Sequence, residues 1–180
     1  MSKTNTDRGK ETERLAAKGL RELGFPNAER VVRTGYRVPG RELPDLGDID
    51  GTPGIVWQVK SLRPVARAEN AVAGWMLETE QQRVAARATV GVLVVRREMC
   101  APRRWWAFLP AVDLYGLADG FTGNGTPAPL RPLADVGDDR LDDRARTRLM
   151  PVRLELADAC LLLRAAGFGD PLDELEGATA

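Results

Sequence analysis

The pattern of apolar and polar positions predicts an α/β chain. Residues 8–23 (RGKETERLAAKGLREL) put Ala16, Ala17 and Leu20 on one stripe at helical spacing, with Gly24 and Pro26 beyond as stop signals. Glu13 lies at the N-terminal end of that stripe, Glu11 and Glu22 point to the opposite side, and Leu15 falls off the pattern. Residues 28–36 (AERVVRTGY) predict a strand, and the Gly-, Pro- and Asp-rich stretch 37–54 a loop with a short strand around Asp48–Asp50. Gly54–Ser61 alternates: Ile55, Trp57 and Val59 face one way, Val56, Gln58 and Lys60 the other. Residues 68–88 form the next element, a long helix with Val72, Trp75, Met76 and Thr79 on one side.

From Val90, VGVLVVRR is β-branched nearly throughout, the pattern of a strand buried on both faces. Trp105–Leu109 predicts a further strand and Val112–Leu117 a short helix. Pro151–Gly167 reads as a short strand or turn leading into an apolar helix, and Gly169–Ala180 as a frayed acidic end. The order α-β-β-β-α-β-β predicts a mixed central sheet flanked by helices. The expected division is a domain over 1–119, a Gly/Pro-rich and charged linker over 120–150, and a C-terminal helical extension with an acidic tail over 151–180.

Composition narrows the chemistry more than the fold. The 180 residues contain no histidine, which excludes Ser-His-Asp and Cys-His catalysis and every histidine-ligated metal. Hydrolysis, if present, must run on carboxylates, lysine and a metal held by oxygen. Cys100 and Cys160 match no zinc spacing, and reduced thiols are the simpler expectation. No apolar run of membrane length occurs and the N-terminus is too polar for a signal peptide, so the expectation is a soluble cytoplasmic protein.

The formal net charge is zero, yet it is unevenly spread. Residues 1–104 hold 19 Lys plus Arg against 13 Asp plus Glu (+6), and residues 105–180 hold 7 against 13 (−6). A basic N-terminal stretch suggests an anionic partner; a solvated arginine-rich surface is the plainer alternative.

One constellation could carry chemistry. Gln58 and Lys60 leave the same strand face, and Asp48 and Asp50 share a face by the same alternation. With Glu13 they supply oxygen donors and an ammonium, an inventory suited to a hard cation such as Mg²⁺. Turn aspartates in a Gly-rich loop and a lysine at an exposed strand end are the plainer reading of the same residues.

The stretch GDIDGTPGIVWQVKS resembles the core of the PD-(D/E)xK nuclease superfamily, in which an Asp and a turn precede a strand ending in (Asp or Glu)-x-Lys. It is most similar to the Holliday-junction-resolvase-type branch, where a helical Glu, here in GKETERL, precedes G-D-[IV]-x-G-x-P-G and a strand closing on E-V-K. The resemblance covers roughly residues 8–97 and implies a restriction-endonuclease-like αβββαβ core. It implies Glu13 as the helical acid and Asp48 as the central metal-ligating Asp, with Asp50 in reserve. Gln58 stands where the second acidic ligand would be, and Lys60 is the motif lysine.

The resemblance further implies Mg²⁺-dependent hydrolysis of DNA, with Mn²⁺ as a substitute, on a branched substrate such as a Holliday junction in recombination or repair. A homodimer is implied, because a four-way junction presents two equivalent cleavage sites. Arg33, Arg37, Arg63 and Arg67 bracket the motif and are the expected phosphate contacts. Gln58 departs from the pattern, since a neutral amide ligates Mg²⁺ more weakly. That keeps open a degenerate nucleic-acid-binding module, and beside it a restriction- or repair-type nuclease or a purely structural interaction protein. Gln82 is read as a helix-surface residue within reach of the site. Arg103–Arg104–Trp105–Trp106 is read as strand packing, with contact to phosphates and unstacked bases as the alternative.

Overall fold

The computed structural model describes residues 5–32, 45–62, 68, 70–122 and 150–172. In chain order these form α1 (Asn5–Glu22), β1 (Glu29–Arg30), β2 (Ile49–Asp50), β3 (Ile55–Lys60), α2 (Val72–Ala86), β4 (Val90–Val95), β5 (Trp106–Pro110), α3 (Ala111–Thr122), β6 (Pro151–Glu155) and α4 (Leu156–Ala165). The strands make one mixed sheet in the order β1-β2-β3-β4-β5-β6. β3 and β4 run parallel, in register from Ile55↔Val90 to Lys60↔Val95 and joined through α2. The other neighbours are antiparallel.

Alternation along the strands sorts side chains to two faces. Ile55, Trp57 and Val59 of β3, Val90, Val92 and Val94 of β4, and Ala107 and Leu109 of β5 enter the larger core. There they meet Ala16, Ala17 and Leu20 of α1 and Leu156, Ala159, Cys160 and Leu163 of α4. Trp57 is fully buried, stacks edge-on against Phe25 at 5.7 Å, and donates its indole N–H to Thr52 Oγ1 at 3.0 Å. That bond meets the requirement that a buried indole N–H keep an acceptor. The opposite face carries a smaller cluster of Ala68, Val72, Met76, Leu93, Val95 and Phe108 beneath α2. Because both faces are covered, every residue of β4 is buried, matching its unbroken apolar run.

Three expectations shift. The long helix of 68–88 is α2, shorter at its start, and it ends on Arg87 in the left-handed region (φ 53°). The strand placed at Trp105 begins one residue later, because Trp105 closes a 3₁₀ turn over Pro102–Arg104. The segment set apart as a C-terminal extension supplies the sixth strand and an amphipathic helix of the same sheet and core, pairing Glu155 with Trp106. Periodicity marks Pro151–Glu155 as extended but cannot name its partner, which lies far upstream in the chain. Both cysteines are free thiols, as expected, and burial pushes the Cys160 thiol up to about 12.

Candidate functional site

β2 and β3 separate soon after they pair. Ile49 is opposite Trp57, the Asp48 N–H donates to the Trp57 carbonyl at 2.8 Å, and then the ladder stops. Where the next strand carbonyl would sit, Asp48 Oδ2 accepts the N–H of Val59 at 2.8 Å. The glycines on either side make this turn possible. Gly47 has φ 102°, and a Cβ there would meet the Trp57 carbonyl oxygen at 3.0 Å; Gly51 has φ 79° and lies directly against the Asn27 backbone. The spacing G-D-I-D-G is therefore a backbone requirement that fixes where Asp48 points. Asp50, by contrast, is exposed and folds back on its own turn, accepting the Gly51 N–H at 2.7 Å.

On the α2 face, Gln58 and Lys60 meet a residue that the sequence pattern did not single out. Glu78 of α2 accepts hydrogen bonds on the same Oε2 from Gln58 Nε2 and from Lys60 Nζ, both at 2.8 Å. A carboxylate can only accept, so Gln58 must present its amino group there. Its Oε1 then turns to Thr79 Oγ1, 2.7 Å away. Gln58 is buried and held from both ends, whereas Glu78 remains half exposed.

The Lys60 hydrogen bond is the chief reason the Glu78 carboxyl titrates below its ordinary range. Partial burial opposes it, the Gln58 amide and the Lys60 charge add to it, and the nearby Asp45 carboxylate works against it. Lys60 is further fixed by lying 6.0 Å over the Trp75 ring. The signal that could have revealed Glu78 is an unbalanced pair of donors on a strand face that a helix was bound to cover.

Glu13 occupies the same end of the sheet but the other face. It pairs with Arg30 at 3.1 Å, and the next residue, Val31, donates its N–H to the Asp48 carbonyl at 2.9 Å. Its neighbour Thr12 accepts from Arg96 at 3.2 Å, and the Arg96 N–H donates to the Lys60 carbonyl at 2.9 Å. Gln58, Lys60 and Glu78 thus meet on the α2 face, while Asp48 bonds the Val59 N–H between them and Glu13 lies across the strand ends. Gln82 is buried rather than on the helix surface. With Asp45, Glu78, Gln81 and Ala85 it lines a shallow groove beside the site, and its Oε1 has no hydrogen-bond partner among the described residues. Arg33, Arg37, Arg63 and Arg67 lie outside the described residues.

Among the described residues, no three His, Cys, Asp or Glu side chains form a group able to hold a metal. The oxygen donors beside residues 58–60 are the Asp48 and Glu78 carboxylates, the Gln58 oxygen being engaged by the Thr79 hydroxyl. Their chemistry fits Mg²⁺, a cation that keeps several waters and needs only one or two carboxylates. Among the described residues, no helix is long and apolar enough to cross a membrane. No protein-family model, curated protein or solved structure matches the chain.

Proposed function

We propose that this chain is a Mg²⁺-dependent DNA endonuclease of PD-(D/E)xK type, acting on branched DNA such as a four-way junction. The observation that carries the reading is the meeting of Gln58, Lys60 and Glu78, with Asp48 on the Val59 N–H between them, where β2 leaves β3. The element order from α1 to β4, with β3 and β4 parallel across a helix, supports it as well.

In this reading Glu78 takes over as the second acid, and Gln58 is a positioning residue that holds Glu78 through Nε2. The metal, when bound, lowers the pKa of a water and neutralises phosphate charge. Lys60, steadied by Glu78 and Trp75, places its ammonium against the charge that develops on the phosphate oxygens. Asp48 is held ready by the Val59 N–H. Glu13, across the strand ends, is the reserve acid and must leave Arg30 to take part. A homodimer belongs to the proposal, since two equivalent scissile sites suit two copies.

A second reading, a DNA-binding module without cleavage, is favoured by one observation: the Gln58 oxygen is already engaged by Thr79. Purified protein with Mg²⁺ or Mn²⁺ on a labelled four-way junction, with linear duplex as control, separates the two. The nuclease reading expects junction cleavage that falls at least about a hundredfold in Lys60→Ala, Asp48→Ala and Glu78→Ala. Junction binding without cutting under either metal would leave the module; neither binding nor cutting would sink both.

A further inference from the structure

The chain leaves β4 at the same end of the sheet as Lys60, where the Arg96 N–H donates to the Lys60 carbonyl at 2.9 Å. From there residues 96–105 form a loop that is held at several points. The Trp105 indole N–H donates to the Cys100 carbonyl at 3.1 Å, and Arg97 reaches the Arg104 carbonyl at 2.8 Å. Backbone bonds of 2.9 Å from Arg104 to Ala101 and from Trp105 to Pro102 close the 3₁₀ turn. Pro102 lies so near α1 that a Cβ on Gly19 would fall 2.5 Å from it. Out of this braced loop stands Met99. It is entirely exposed, and its backbone lies in the left-handed region (φ 55°), which glycine adopts without strain and methionine does not. The other non-glycine residue in that region, among the described residues, is Arg87, whose conformation ends α2. A lone exposed apolar residue needs no explanation. One carried on a strained tip of a braced loop, one strand from the candidate site, does.

We propose that Met99 is a wedge that enters the branch point of a DNA junction and packs on the bases unstacked there. This deepens the nuclease reading and rests on it for the identity of the substrate. Methionine suits the task, being unbranched, polarisable and able to settle on a base face. Insertion into a closed duplex must first break stacking, whereas at a branch point the stack is already interrupted, so the same side chain favours the junction. The surroundings match an anionic partner. Between Arg96 and Arg104 the chain carries four arginines and one acid, Glu98. Arg96 is engaged with Thr12 and Trp105, and Arg97 with Trp106 and Glu155. Arg103 and Arg104 are exposed, and Arg104 stands 3.6 Å from Glu155, so these two can turn to phosphates beside the wedge. An apolar partner protein would use Met99 and gain nothing from the arginines.

The test uses a four-way junction with 2-aminopurine at its branch point and a linear duplex of equal length, in metal-free buffer, read by fluorescence and anisotropy. Wild-type protein should bind the junction at least about tenfold tighter than the duplex and raise the 2-aminopurine signal. Met99→Ala should lose most of that preference and of the signal, while its duplex affinity stays within about twofold. Met99→Leu should keep both. Met99→Gly relieves the backbone, so it should melt no lower than wild type and yet lose the preference as the alanine variant does. A wild type without the preference, or either Met99→Ala or Met99→Gly retaining it in full, overturns the wedge. Its failure is distinct from failure of the nuclease. A junction preference that depends on Met99, without cleavage of any substrate, keeps the wedge and removes the nuclease; junction cleavage with an indifferent Met99→Ala does the reverse.

Discussion

Helix α2 carries two carboxylates only two residues apart whose surroundings are opposite. Glu78 lies at the end where β2 and β3 separate, 52% exposed, with two donors on one oxygen. Glu80 is buried and grips Arg83 with two parallel bonds of 2.7 Å. The same guanidinium reaches the Ala88 carbonyl at 2.9 Å and is the positive charge that counters buried Asp113 of α3. Glu78 has more donors than it needs, and so titrates low. At the other cluster two carboxylates depend on one cation. Desolvation first, and the Glu80 charge second, push the Asp113 carboxyl up to about 6, against the pull of Arg83. One region stays open to solvent with its carboxylate already compensated by two donors, and the other is sealed and must be satisfied internally. The two carboxylates are therefore perturbed in opposite directions, Glu78 by donors at an open site and Asp113 by burial beside a second acid.

The largest contrast comes from deleting the cation at each end. Arg83→Met strands Glu80 and Asp113 in the interior, and should cost about 3–5 kcal/mol in urea or thermal unfolding. Lys60→Met removes an exposed partner of Glu78, and should cost less than about 1 kcal/mol. Costs of similar size at the two positions would break the contrast between a sealed cluster and an open one.

Ionisation sharpens it next. With its folded value raised to about 6 from an ordinary 3.8, Asp113 binds its proton more tightly in the fold than in the unfolded chain. Below about pH 3 it is neutral in both states and costs nothing. As pH climbs to about 6 the unfolded state ionises freely while the fold resists, so stability is lost over that window and stays lost above it. Asp113→Asn should therefore stabilise the protein by about 2 kcal/mol at about pH 8 and leave it unchanged at about pH 3. A gain that is the same at both pH values would assign the effect to packing instead.

Much of the architecture was legible because local pattern and tertiary environment agree. β3 alternates and is a strand with two distinct faces, and β4 is apolar throughout because helices cover it on both sides. The inward stripe of α2, with Val72, Met76 and Thr79, is buried as its spacing requires. At the site, the motif spacing singled out Asp48, Gln58 and Lys60; Gln58 and Lys60 meet on Glu78, and Asp48 bonds the Val59 N–H between them. Glu78 escaped because it flanks the stripe, and its value comes wholly from what β3 places opposite it. Gln82 and Arg83 escaped for a related reason: burial of polar side chains on a helix comes from the elements that pack against it, not from periodicity along α2. The tryptophan pair divides between the two faces, Trp105 into the larger core and Trp106 against the smaller cluster, and each ring also carries a cation, Arg96 over Trp105 and Arg97 and Arg153 over Trp106.

The smallest expected effect on stability is the most informative for function. Glu78→Gln keeps the shape and an acceptor oxygen and removes only the charge. Because the Glu78 carboxyl titrates below its ordinary range, it contributes stability above the ordinary value that fades as pH falls through the lowered one. Half exposure and counter-ion screening hold that contribution below about 1 kcal/mol, so melts at about pH 7 should barely move. Metal affinity should respond differently. If Glu78 supplies the charge missing at Gln58, calorimetric titration with Mn²⁺ should show affinity falling about tenfold or more in Glu78→Gln. The paired substitution Gln58→Glu/Glu78→Gln should restore it by returning the acid to the strand. Full Mn²⁺ affinity in Glu78→Gln would detach Glu78 from the metal and leave it as a brace for Lys60. Glu78 would then act by positioning alone, and the distinction between the open and sealed ends of α2 would rest on accessibility rather than on chemistry.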